Sequence, residues 1–203
     1  MIYAMIGFEK TGNLKYISHL DLQRAMTRLL VRSRLPVVYT EGFNPHPRLT
    51  FAQPLSIFQE SVCEIAEFRI EDVHPSEEEA LKCLQAVAPE GLVFTRVWYS
   101  ERKLKPCVSA SYELTFRTEL SAAELEAACS GEMVVLKKSK TKEAMVDIAP
   151  MVTNRKFMDL GSGKVQMNCI LPCGTETLNP SYVGAFLEGK AELIRTLRTE
   201  LFF

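Results

Sequence analysis

Ile2-Tyr3-Ala4-Met5-Ile6-Gly7-Phe8, then Thr11-Gly12-Asn13, then Ser18-His19-Leu20-Asp21-Leu22 open the chain, and their order decides its fold class. Ile2, Ala4, Ile6 and Phe8 alternate with their neighbours, so they share one face of a strand that the Thr11-Gly12-Asn13 turn closes. Ser18 reads as a helix N-cap, with Asp21 three residues on as the reciprocal partner of a capping box. Leu22, Ala25, Met26, Leu29 and Leu30 recur at helical spacing and give that helix one apolar stripe, which Pro36 terminates. Arg48 to Ala52 and Val62 to Glu71 read as two strands. Ser76 with Glu79 opens a second helix bearing Ala80, Leu81, Leu84 and Val87, and Leu92 to Tyr99 is a fourth strand. The first hundred residues therefore run strand, helix, two strands, helix, strand.

The same order returns after a charged hinge, Ser100-Glu101-Arg102-Lys103-Leu104-Lys105-Pro106. Tyr112 to Phe116 is a strand, and Ser121 with Glu124 caps a short helix. Strands follow at Met133 to Lys138 and Glu143 to Ile148, and a hairpin joins Met151–Met158 to Val165–Leu171 through Gly161-Ser162-Gly163. Asn179-Pro180 opens a last helix, since proline suits the first helical position. The tail from Leu193 to Leu201 fits both helical and strand spacing, and a strand completes the second module. The expectation is an α+β chain of tandem ferredoxin-like (βαββαβ) modules with antiparallel sheets, over residues 1–100 and 108–203. That architecture hosts many unrelated functions, so it settles none.

Composition excludes several classes. The 203 residues carry 24 basic and 25 acidic side chains, a net charge of -1, so no whole-chain charge argues for nucleic acid or a membrane. The apolar runs fall far short of the ~18 residues that span a bilayer. The first residues lack a basic n-region and soon meet Glu9 and Lys10, so a cytoplasmic location without a signal peptide is expected. Cys63, Cys83, Cys107, Cys129, Cys169 and Cys173 form neither a Cys-x-x-Cys pair nor the three-cysteine run of a radical-SAM cluster. Buried, reduced thiols are the expectation for Cys169 and Cys173, with no metal and no cofactor held by this chain. Glycine-rich phosphate loops are also missing from the sequence.

Two polar constellations remain. Arg24, Arg28 and Arg32 step by four along one ridge of the first helix, next to Ser18, His19 and Asp21, and arginine's fork suits phosphate. Asp21 in the first turn also suits the helix dipole without any ligand. The second constellation is Glu41-Gly42-Phe43-Asn44-Pro45-His46-Pro47-Arg48, where two prolines stiffen the backbone around His46 and Phe43 offers a stacking surface. His19 and His46 are candidate acid and base, or metal ligands together with Asp21; a plain structural turn burying Phe43 is the other reading. Through residue 50 seven basic residues face three acidic ones, and Lys137, Lys138, Lys140 and Lys142 add a basic turn. Glu60 to Glu79 is acidic, broken by Arg69, and reads as a docking face or a solvated surface.

Tyr16-Ile17-Ser18-His19-Leu20-Asp21-Leu22, Arg24, Arg28, Leu35-Pro36, Tyr39 and Glu41 to Arg48 together resemble the bacterial radical-SAM-linked proteins. The resemblance is specific between residues 12 and 64 and continues through Pro89-Glu90-Gly91-Leu92, Val146-Asp147-Ile148 and Leu178-Asn179-Pro180. Ser56-Ile57-Phe58 departs from it, because the family more often has a glycine-containing turn after Pro54-Leu55. The family is a domain of unknown function beside or fused to a cobalamin-binding radical-SAM protein, often near an E/G-type ribonuclease and ribosomal proteins. The resemblance implies a partner that carries the iron–sulfur cluster, S-adenosylmethionine and cobalamin, and a substrate that is RNA or ribosome-related. The leading expectation is a non-catalytic RNA-associated accessory protein, binding through Ser18, His19, Asp21, Arg24, Arg28, Arg32, Phe43, Asn44, His46 and Arg48. The alternatives are a metal-independent endoribonuclease using His19 and His46, and a peptide- or protein-binding adaptor. The helix start and the Asn44–Arg48 loop are expected to converge on one polar surface.

Overall fold

The computed structural model describes residues 2–138 and 143–203; Lys140 and Lys142 of the basic turn lie outside the described residues. The chain divides into two compact units, Met1–Pro106 and Cys107–Phe203. It is an α+β fold with antiparallel sheets and few helices. Among the described residues no helix is long and apolar enough to cross a membrane.

The first unit runs β1 (Ile2–Lys10), α1 (His19–Arg32), β2 (Leu49–Phe51), β3 (Glu60–Ile70), α2 (Glu77–Gln85) and β4 (Leu92–Ser100). Its strands lie in the order β4-β1-β3-β2, each pair antiparallel. Register sorts the faces, because strand side chains alternate. Ala4 pairs with Phe68 and Ile6 with Ala66, which puts Ala4, Ile6, Phe8, Ala66, Phe68 and Ile70 into one core. Leu22, Met26, Leu29 and Leu30 of α1 and Ala80 and Leu84 of α2 join that core, so both helices cover the same face. The opposite face of β1 and β3 carries Tyr3, Met5, Glu67 and Arg69.

Three local differences from expectation have simple causes. Ser18 Oγ accepts the Asp21 N–H and caps α1, but the reciprocal half of the box is missing. Ser76 with Glu79 and Ser121 with Glu124 both complete it, because glutamate reaches back one methylene further than aspartate. Helix α1 stops before Pro36: Ser33 is the C-cap, and Arg34 takes the left-handed conformation with φ 59°. Strand β2 keeps only three residues, next to an isolated bridge between Tyr39 and Pro47.

The second unit runs β5 (Ser109–Arg117), α3 (Ala122–Ala128), β6 (Val134–Lys138), β7 (Glu143–Asp147), β8 (Thr153–Gly161), β9 (Lys164–Pro172), α4 (Ser181–Phe186) and β10 (Glu192–Phe202). Its strands follow the order β10-β5-β9-β8, while among the described residues β6 and β7 pair with each other in a separate two-stranded sheet. The second and third strands of this sheet in chain order are therefore β8 and β9, and the β6–β7 hairpin is an addition to the repeated order. Val135 of the hairpin and the flanking Met133 and Ile148 still join a core of Leu114, Phe116, Leu125, Met167, Leu171 and Val183. The ambiguous tail is a strand, β10, hydrogen-bonded along β5. Cys107 and Cys173, 66 residues apart, place their sulfurs 3.2 Å from each other in this core. Cys169 and Cys173 are both buried. Burial pushes the Cys169 thiol up to about 12.

Candidate functional site

The Ser18–Asp21 helix start and the Glu41–Arg48 loop sit at opposite ends of the first sheet. His19, the first residue of α1, sets its ring edge-to-face on Phe51 at 4.9 Å between centroids, and Phe51 in turn meets Phe8. The His19 Nδ1 is buried and has no hydrogen-bond partner. Burial lowers its pKa below the ordinary 6.5; the charge of Glu64 opposes that shift and Lys10 adds to it. His19 is therefore a neutral ring at pH 7, wedged beside the Lys10 and Glu64 end of β1 and β3. Lys10 there is 1% exposed and donates to the Gln59 carbonyl.

The Glu41–Arg48 loop lies beyond the other end of β3. Val37 bridges to Ile70, the Val38 N–H donates to the Arg69 carbonyl, and Tyr39 bridges to Pro47. Phe51 pairs with Ala66, and the extended stretch back to Pro47 carries the chain about 13 Å away from His19. The cause is helix α1: its 14 residues, at 1.5 Å each, move the chain about 21 Å before the loop begins. The expected convergence of the helix start with the loop is thus corrected. An acid and a base must both reach one reacting group, and His19 and His46 do not. The same separation removes His19, His46 and Asp21 as a joint metal set, and no three histidine, cysteine or acidic residues gather elsewhere among the described residues.

The loop is a small closed structure. The Thr40 N–H donates to the His46 carbonyl, and the His46 N–H donates to Thr40 Oγ1. His46 Nδ1 lies 3.0 Å from the Asn44 carbonyl and 3.3 Å from Thr40 Oγ1. Gly42, at φ +119°, makes the turn that a side chain would strain. Phe43 at the tip is fully exposed, against the reading that the turn buries it.

On α1, Asp21 accepts from Ser18 Oγ and from Arg24 Nη1 at 3.2 Å. The Ser18 bond, more than the Arg24 charge, holds its carboxyl below the usual range. Arg28, Arg32, Arg34 and Arg48 are exposed and make no ion pair among the described residues. The arginine row starts at the His19 end and closes on the loop end. The acidic stretch does not form one face: Glu60, Glu64 and Glu67 are buried, whereas Glu71, Asp72, Glu77 and Glu78 are exposed.

Residues 4–180 match the model of DUF2344, described as an uncharacterized protein conserved in bacteria. The chain belongs to this family. Phe58 takes φ 67°, the left-handed conformation that a glycine adopts freely. No curated protein matches the chain.

The DUF2344 chain resembles several solved structures in fold. A Cbf5–Nop10–Gar1 complex matches with a TM-score of 0.54 at 11% identity, covering 98% of this chain and 48% of that one. An archaeal box H/ACA Nop10–Cbf5 complex matches at 0.50 and 10%, with coverages of 98% and 48%. An H/ACA ribonucleoprotein bound to a substrate RNA containing 2'-deoxyuridine matches at 0.53 and 9%, with 98% and 47%. The chain thus spans about half the length of the chains it matches.

Sequence reasoning missed Arg69. It stands on the face of β3 opposite Phe68 and Ile70, and its Nε is buried without a hydrogen-bond partner. The signal was available, since Arg69 is the one basic residue in an acidic run and falls on the polar side of a period-two pattern.

Proposed function

We propose that this chain is a non-catalytic, RNA-associated accessory protein of a bacterial, cytoplasmic, cobalamin-binding radical-SAM enzyme. Its two units are read as ferredoxin-like modules, the second carrying the β6–β7 hairpin as an insertion; the shared strand order, last-first-third-second, supports this. The observation that carries the RNA reading is the exposed arginine row ending beside a closed loop that presents Phe43 to solvent. Guanidinium groups take phosphate oxygens in pairs, and an exposed ring stacks an unpaired base. The two fold neighbours described as H/ACA ribonucleoprotein complexes lend further support.

The partner half of the reading rests on the Tyr16–Leu22 and Glu41–Arg48 resemblance. In it the iron–sulfur cluster, S-adenosylmethionine and cobalamin belong to the enzyme, and this chain brings RNA or a ribosome-related substrate to it. The test is a pulldown of the tagged full chain from native lysate, with and without nuclease. RNA is expected in the untreated eluate, and a radical-SAM protein is expected to remain after nuclease. Recovery of neither overturns the proposal.

A further inference from the structure

We propose that Arg48, Arg69 and Lys103 form a phosphate site on the first unit that takes one phosphate of a single-stranded RNA. The proposal deepens the RNA reading above and rests on it for the identity of the ligand. Two cavities, of about 330 Å³ and about 450 Å³, share Arg48 and Arg69 as a common wall. Register brings the two together. Leu49 pairs with Phe68 and Thr50 with Glu67, so one step back along the same ladder sets Arg48 opposite Arg69.

Like charges placed directly opposite on adjacent strands repel, and an anion between them removes the repulsion. Neither arginine has an ion pair among the described residues, and the Arg69 Nε–H is a buried donor without an acceptor. Glu67, the nearest carboxylate in the register, accepts the Leu104 N–H instead. That bond lays the segment after β4 along the sheet and brings Lys103 to line the larger cavity. Two guanidinium forks and an ammonium thus surround a space open to solvent, the donor set that suits a phosphate. Glu41, exposed, lines the smaller cavity and lowers the local positive charge without abolishing it.

The choice of a single strand follows from the aromatic residues beside the cations. Tyr39 lines the smaller cavity and is 45% exposed, and Phe43 stands wholly exposed at the tip of the loop between Tyr39 and Arg48. Exposed rings next to phosphate donors serve bases that are already unstacked, which a duplex does not offer.

The experiment is fluorescence anisotropy of the full chain with a labelled uridine octanucleotide over a salt series, with phosphate titration followed at the arginine Nε–H resonances. Arg48→Ala and Arg69→Gln are each expected to weaken oligonucleotide binding about tenfold. Each should also lower the salt slope by about 0.7, the share of one single-strand phosphate contact. Lys103→Ala, at an exposed position that leaves folding intact, should weaken binding less, and Glu41→Gln should tighten it. Inorganic phosphate should shift the Arg69 Nε–H resonance in the wild type. Wild-type binding that survives all three cation substitutions, yet falls with Arg28→Ala plus Arg32→Ala, overturns the pocket and keeps the RNA reading. A wild type that binds no oligonucleotide overturns the RNA reading, and an Arg69 resonance unmoved by phosphate then overturns the pocket as well.

Discussion

At one end of the first sheet a histidine is wedged against a phenylalanine, and at the other a phenylalanine stands in water beside unpaired arginines. The His19 end has spent its polar residues on structure. Lys10 and Glu64 are almost fully buried, and the His19 ring completes an aromatic stack with Phe51 and Phe8. The Phe43–Arg48 end leaves Arg34, Arg48 and Phe43 exposed on a backbone closed by Thr40 and His46. Of the two flagged histidines, His19 lies in the packed end, whereas His46 lies in the open one with the exposed arginines and Phe43. A histidine flagged by sequence is thus poor ground for an enzyme claim until its surroundings are known.

The sharpest contrast between the ends is mechanical. Phe51→Ala should remove the ring that both Phe8 and His19 pack against and cost about 3 kcal/mol, read from denaturant unfolding. A loss as small as that of a surface substitution would break the distinction. Phe58→Gly, near the packed end, should instead raise stability by about 1 kcal/mol, because φ 67° strains a bulky residue. The lost edge contact with Tyr16 at 6.0 Å offsets part of that gain.

The pH dependence sharpens the same contrast. The folded-state pKa of His19 lies below its ordinary 6.5, so the unfolded chain takes up the proton first. The His19 contribution is therefore complete above about 6.5 and is lost as pH falls toward the folded value. The stability difference between wild type and His19→Gln should shrink as pH is lowered from neutral through that window. A difference that stays constant would mean that the ring is not held neutral. The smallest stability effect belongs to the open end. Phe43→Ala should leave unfolding within about 0.5 kcal/mol of wild type. In the proposed reading it nevertheless weakens RNA binding by about 1 kcal/mol or more, the worth of one stacked base.

Local features of this fold were legible in the sequence, and long-range ones were not. The helix starts at Ser76 and Ser121 could be read because a capping box is complete within four residues, and even the half-formed cap at Ser18 marked α1 correctly. The arginine row was legible for the same reason, since a four-residue step fixes one helix face. The distance between Ser18 and His46 was not, because nothing local says that α1 carries the chain to the far end of the sheet. Nor were the Cys107–Cys173 contact and the Arg48–Arg69 juxtaposition, each set by strand register across many residues. The β6–β7 hairpin misled for a different reason: its alternation resembles that of a sheet strand, and only pairing distinguishes the two.

The most direct test of the account is photo-cross-linking of the full chain to 4-thiouridine-containing single-stranded RNA, with the attached peptides identified by mass spectrometry. The account predicts cross-links within residues 39–48, at Tyr39 or Phe43, and their loss in Arg48→Ala. Cross-links confined to peptides bearing Tyr16, His19 or Phe58, or no cross-links at all, would contradict it.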